Sequence, residues 1–394
     1  MKAVSFLFCD PVSPERIRWF SESIASAGQV IVPTEAGTCT IFLTGDALSS
    51  LIDARTRDAW QALSALPAVR IIADGDDLRL HGLRDPVRSA LPRVVVTGDG
   101  SDRSFGAFWH LVVETLVEEW RGSRRAAFLL CSSPYMSRTP VYMIRFLTAV
   151  HAAGLHPELY TYLDGVHTVH NGQRPSEFEN IGRAVGALAG SAVQSGRAAW
   201  FAACSRCATA RGYYQMNPGT GFCEPASCIE SITIRPLKEI LARFREAHLV
   251  LSHVSGGVAP GDSAAPGVPH LVVFITNQPY CTEWTFGGIS LAVAAAVEGI
   301  VVTVIFIEDG VYALCGTHDV PAAEKVFNVQ EMLGATSDVD GLRFLVHAPS
   351  LEERGAVLAE EFQEFRKVKN QDLAGIFQGT GPENACRATR MIFF

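Results

Sequence analysis

Short runs of apolar residues alternate with stretches whose apolar positions recur every three or four residues, and this alternation persists along most of the chain. "AVSFLF" at the start, a helical spacing over roughly 14 to 27, "CTIFLTGDAL", a second helical stretch near 55 to 65, and "VRIIADGDDLRLHGL" predict strand, helix, strand, helix, strand. Further on, "AAFLLC", a helical stretch over 138 to 153, "ELYTYL" and "AAWFAA" predict the same order, as do "HLVVFIT", a helical stretch over 284 to 298, "VVTVIFI" and "RFLV". Strands that alternate with helices of this length form βαβ units, and so an α/β protein with mainly parallel sheets is expected.

The pattern repeats in detail. Pro134-Tyr135 precedes Asp164-Gly165-Val166 by 30 residues, Pro279-Tyr280 precedes Asp309-Gly310-Val311 by the same 30, and the two copies are offset by 145. A third strand then leads into an Arg-Gly pair, Arg211-Gly212 in one copy and Arg354-Gly355 in the other. Eight residues before each glycine stand Cys204 and His347, and the same count back from Gly82 in the more diverged first copy reaches Asp74. Only the middle copy has a thiol at this position. The expected organisation is a first domain over 1–100, a helical connector over 101–124, a second domain over 125–255, a Gly/Pro linker over 256–269, a third domain over 270–376 and a tail over 377–394. The tail is expected to be poorly anchored except where its last residues, "MIFF", dock.

Charge removes some function classes. With 41 acidic against 33 basic side chains the formal net charge is -8, and no cluster of lysine and arginine offers a track for phosphates, so direct nucleic-acid binding is not expected. The longest apolar region, "ISLAVAAAVEGIVVTVIFIED", is broken by Glu298 and Gly299 into a helix and a strand and does not read as a membrane span. The start, "MKAVSFLFCDPVSP", is too short in its apolar part for a signal peptide, so a soluble, cytoplasmic protein is expected.

Chemistry concentrates in "CSRCATARGYYQ" and "GFCEPASC", which place Cys204, Cys207, Cys223 and Cys228 within 25 residues. A cysteine at the C-terminal end of a parallel strand, where a helix begins, meets unpaired backbone N–H groups that favour the thiolate, and Arg206 and Arg211 add positive charge. Cys207, three residues on, suits a resolving or redox partner. The spacing C-x2-C-x15-C-x4-C is also compatible with a four-thiolate zinc or iron–sulfur site. Cys9, Cys39, Cys131 and Cys315 lie in or beside strand-like runs and read as packing residues, as does Cys281. His167 and His170, after "LDGV", are candidates for proton transfer or partner contact, while Tyr135 and Asp164 read as turn residues.

These motifs, strand, Pro-Tyr, helix, strand, "DGV", strand, cysteine, Arg-Gly, resemble the DsrE/DsrF-like sulfur-relay family, which includes the TusB, TusC and TusD subunits and their DsrEFH relatives. The middle copy is similar to a TusD or DsrE chain and residues 270 to 376 to a TusC or DsrF chain, with His347 where a cysteine is often found. The resemblance implies three tandem DsrE-like doubly wound α/β domains fused in one chain, a homodimer reproducing a six-domain particle, and a sulfurtransferase that holds sulfur as a persulfide on Cys204. It implies small sulfur-carrier partners, a TusA-like donor and a TusE- or DsrC-like acceptor, and no cofactor. The four-cysteine metal or redox module and a non-catalytic assembly scaffold stand as the alternatives.

Overall fold

A computed structural model describes residues 3–29, 39–98, 106–119, 124–245, 249–252, 255–259, 268–321, 324–377 and 386–394. The strands are β1 (Val4–Phe8), β2 (Cys39–Leu43), β3 (Val69–Ala73), β4 (Val95–Val96), β5 (Arg125–Leu130), β6 (His156–Thr161), β7 (Trp200–Cys204), β8 (Tyr214–Met216), β9 (Cys223–Pro225), β10 (Thr233–Arg235), β11 (Leu249–Ser252), β12 (Ser255–Ala259), β13 (Val268–Ile275), β14 (Val301–Phe306), β15 (Leu342–His347), β16 (Arg366–Val368) and β17 (Cys386–Phe393). The protein is a mixed α/β molecule whose two larger sheets are mainly parallel. A five-stranded sheet runs β10-β7-β6-β5-β11 with every neighbour parallel. A ten-stranded sheet runs β16-β15-β14-β13-β17-β12-β1-β2-β3-β4, in which only β12 opposes its neighbours.

The first and last segments therefore share one continuous sheet instead of folding around separate ones. The two strands that join them come from the expected linker and the expected tail. Residues 255–259 form β12, and 386–393 form β17 between β12 and β13; linker residues 260–267 lie outside the described residues. Glycine makes β12 possible at the centre of the sheet, because a Cβ on Gly257 would stand 2.7 Å from the Phe6 ring and 2.9 Å from Met391 Cε. Pairing on both sides also satisfies the backbone edges that β1 and β13 would otherwise leave open.

Each face of the large sheet buries its own core. On one face, Trp19 and Phe20 of helix Pro14–Gln29, Trp60 of helix Arg57–Ala65 and Phe377 of helix Asn370–Phe377 pack with Phe6, Phe8, Phe274 and Phe393. On the other face, helices Ala107–Glu119, Thr139–Ala152 and Trp284–Val297 and the five-stranded sheet share a single core. Helix Ala107–Glu119 occupies part of the expected connector, with Trp109 stacked on Tyr142. Among the described residues no helix is long and apolar enough to cross a membrane.

Candidate functional site

The three positions counted back from a glycine are structurally equivalent. Asp74, Cys204 and His347 each end or follow a parallel strand and are the N-caps of short helices, Gly75–Leu80, Ser205–Ala210 and Ala348–Arg354. Gly82, Gly212 and Gly355 all have positive φ, +68°, +80° and +57°, a region L-residues seldom occupy, and this fixes the spacing. Facing each N-cap is a short 3-10 turn whose first residue also has positive φ: Gly45 (59°), Leu163 (49°) and Glu308 (55°). In each copy the backbone N–H of that first residue donates to the side chain three positions after the N-cap. Gly45 N–H reaches Asp77 Oδ2 at 3.1 Å, Glu308 N–H reaches Ser350 Oγ at 2.9 Å, and Leu163 N–H reaches the Cys207 sulfur.

In the middle copy this geometry brings together sulfur atoms. Cys207 donates to Cys204 through its thiol, and the backbone N–H groups of Cys207 and Arg206 point at the same sulfur. The Cys207 hydrogen bond is the largest influence on Cys204; with those N–H groups and the Arg206 charge it outweighs burial and lowers the Cys204 pKa to about 7. The same hydrogen bond, followed by burial, pushes Cys207 far up, so the pair shares one proton, held on Cys207. Cys131, at the end of β5, lies close enough to feel the Cys204 charge, although burial is the main reason its thiol is raised. β5 and β7 flank β6 in parallel, so their C-terminal residues emerge on one edge. Nothing in the sequence beyond the shared strand-end position marked Cys131 as a neighbour of Cys204.

The site is closed: Cys204 is 1% exposed and Cys207 7%. The cover comes from the last segment: Tyr162, beside all three thiols, donates through its hydroxyl to the Gly287 carbonyl at 3.0 Å, and Leu163 presses on Gly287, where a Cβ would meet Leu163 Cδ1 at 2.7 Å. Arg206 stacks over Phe286 with its guanidinium carbon 5.2 Å from the ring centre. Arg211 does not face the sulfur as a free charge; it binds Asp164 at 2.7 Å and Glu283 at 2.6 Å, the latter at the start of helix Trp284–Val297.

The other two N-caps are covered by the same construction. Arg354 joins Asp309 at 2.7 Å and Glu15 at 2.8 Å, and Glu308 takes a bidentate pair of bonds from Arg16 and a third from Trp19 Nε1. His347 bonds Ser350 Oγ at 2.8 Å and Asn370 Oδ1 at 2.6 Å, and burial lowers its pKa. At the first copy Asp77 faces Arg138 (3.6 Å) and Arg145 (3.4 Å), and burial together with Asp77 raises Asp74 to about 6. Helix Pro14–Gln29 thus covers the last N-cap, helix Thr139–Ala152 the first and helix Trp284–Val297 the middle one, which closes a ring.

The remaining sequence candidates fall outside this cluster. Cys223 is exposed on β9, and Cys228 donates to the Tyr213 and Ala226 carbonyls. Among the described residues no group of three or more His, Cys, Asp or Glu is placed to hold a metal ion. In the hairpin β8-β9 Cys223 stands opposite Met216. His167 bonds Tyr213 OH at 2.9 Å and approaches Asp164 at 3.9 Å; His170 lies beside the Tyr213 ring. Tyr135 and Tyr280 have matching positive φ, 71° and 69°.

Residues 270–379 match the family model described as the DsrE/DsrF-like family. No curated protein matches the chain.

Proposed function

We propose that this chain is a sulfur-relay protein that accepts sulfane sulfur as a persulfide on Cys204 and passes it to a thiol of a small carrier protein. The observation that carries the reading is that the one N-cap of the three that bears sulfur, Cys204, has a second thiol, Cys207, beside it, and that this thiol, backbone N–H groups and Arg206 lower the Cys204 pKa to about 7. In this reading the chain is three DsrE-like units fused in tandem and closed into a ring, and the outer N-caps, His347 and Asp74, serve packing because neither can hold sulfane sulfur. Cys204 attacks the outer sulfur of a donor persulfide, the donor S–S bond breaks, and the donor leaves as a thiolate. An acceptor thiolate then attacks the same outer sulfur and Cys204 leaves as a thiolate. No oxidant or cofactor enters either step.

Because Cys204 is covered, transfer requires the first turn of helix Trp284–Val297 to swing away from Leu163 and Phe286 from Arg206. The Arg211–Glu283 pair sits at the rim of this seam, with the Glu283 side chain 60% exposed, so it holds the seam weakly and a carrier with a complementary charge can compete for it. Incubation with a persulfide donor, followed by peptide mass spectrometry without reductant, should add one sulfur atom to the peptide containing Cys204, and Cys204→Ser should abolish the addition. Sulfur found instead on the exposed Cys223 or Cys281, and retained in Cys204→Ser, would reject the proposal.

A further inference from the structure

We infer that the same site has a second outlet, in which Cys207 resolves the Cys204 persulfide and the sulfur leaves as hydrosulfide. The inference rests on the reading that Cys204 accepts sulfur, and adds a reductive step to it. Its basis is the way each copy sets the side chain at the third position after the N-cap beside the cap, by direct contact in the last copy and through Thr44 in the first. Ser350 Oγ meets His347 Nδ1 at 2.8 Å, and Thr44 Oγ1 bonds both Asp74 and Asp77, at 2.9 and 3.1 Å. In the middle copy both members of this pair are thiols in hydrogen-bond contact. The strained turn residue Leu163 aims its N–H at Cys207, as Glu308 does at Ser350, so Cys207 has a dedicated donor for a negative charge.

While Cys204 is a thiolate, its charge keeps the proton on Cys207. Once sulfur is added to Cys204, the charge moves to the outer sulfur and that hold weakens, and Leu163 N–H and the nearby Arg211 charge favour the Cys207 thiolate. Cys207 then attacks the inner sulfur, Cys204 Sγ. The bond between inner and outer sulfur breaks, a Cys204–Cys207 disulfide forms, and the outer sulfur departs as hydrosulfide with the proton given up by Cys207. The sulfane sulfur is reduced and the two cysteines are oxidised by the same two electrons; a low-molecular-weight thiol or a dithiol protein resets the pair. Burial favours this internal route, because the closed seam that keeps an acceptor protein out leaves Cys207 in contact.

The test loads the full chain anaerobically with cysteine hydropersulfide, removes the excess, traps released hydrosulfide with a bimane reagent and maps disulfides by peptide mass. Wild type and Cys131→Ala should release one hydrosulfide per chain and yield a Cys204–Cys207 disulfide. Cys207→Ser should keep the persulfide, with release slowed about ten-fold or more; its hydroxyl still donates to Cys204, so a lost thiolate does not explain the effect. A loaded wild-type protein that releases nothing, release from Cys207→Ser at the wild-type rate, or a disulfide to Cys131 would overturn this inference and leave the relay intact. Failure of Cys204 to load would overturn both.

Discussion

Replacing Cys207 with alanine removes the thiol that does most to keep Cys204 ionised. Cys204 stands at about 7 against an ordinary thiol value of 9.0, and the Cys207 hydrogen bond is the largest of the influences that lower it, opposed by burial. If the shift is lost in full, the change of two units corresponds to about 2.7 kcal/mol, and the thiolate fraction at pH 7 falls from about one half to about one hundredth. Reactions that need the thiolate should then slow by up to about fifty-fold at pH 7 and recover as the pH rises toward 9. The ultraviolet absorbance of the thiolate, followed against pH as a difference from Cys204→Ser, isolates this sulfur from the other cysteines. Cys207→Ser keeps a hydroxyl donor in place and should retain most of the low value. An unchanged midpoint in Cys207→Ala would refute the assignment of Cys207 as the source of the low pKa.

Two further outcomes test the frame around the site. In Gly165→Ala the new Cβ would stand 2.0 Å from the Leu130 carbonyl oxygen and 3.1 Å from the Cys131 nitrogen; backbone atoms cannot rotate aside, so urea denaturation should show a loss of about 3 kcal/mol or more. Asp74, raised to about 6 from 3.8, stabilises the fold when protonated. Its contribution is present in full below about pH 4 and is lost as the pH rises through 6, by about 3 kcal/mol at most, so Asp74→Asn, which retains the cap, should flatten that part of the stability profile relative to wild type.

The order of strands and helices was readable directly from the chain because it follows from short-range periodicity: an apolar run of five or six residues makes a buried strand wherever it sits. The shared spacing of the three N-caps was readable too. The spacing from Cys204 to Gly212 reflects a fixed local path, an N-cap, a short helix and a left-handed glycine, which reappears at Asp74 and His347. Local chemistry likewise singled out Cys204 and Cys207, since residues three apart at a helix start must approach one another.

What needed the folded molecule was every contact between segments far apart in sequence. "GGVA" reads as linker because glycine has weak strand propensity; with Ser255 it becomes β12 because β1 and β17 supply a paired backbone on both sides. Arg211 looked like a charge available to the thiolate, yet Asp164 and Glu283 claim it, and Glu283 lies 72 residues away. Cys131 reads as core until the parallel order of the five-stranded sheet brings its strand end to the same edge as Cys204. Above all, the sealing of Cys204 depends on which surface the first turn of helix Trp284–Val297 buries. That choice is made by the whole ring of helices closing at once, each covering the N-cap of another segment, and no window of neighbouring residues contains it.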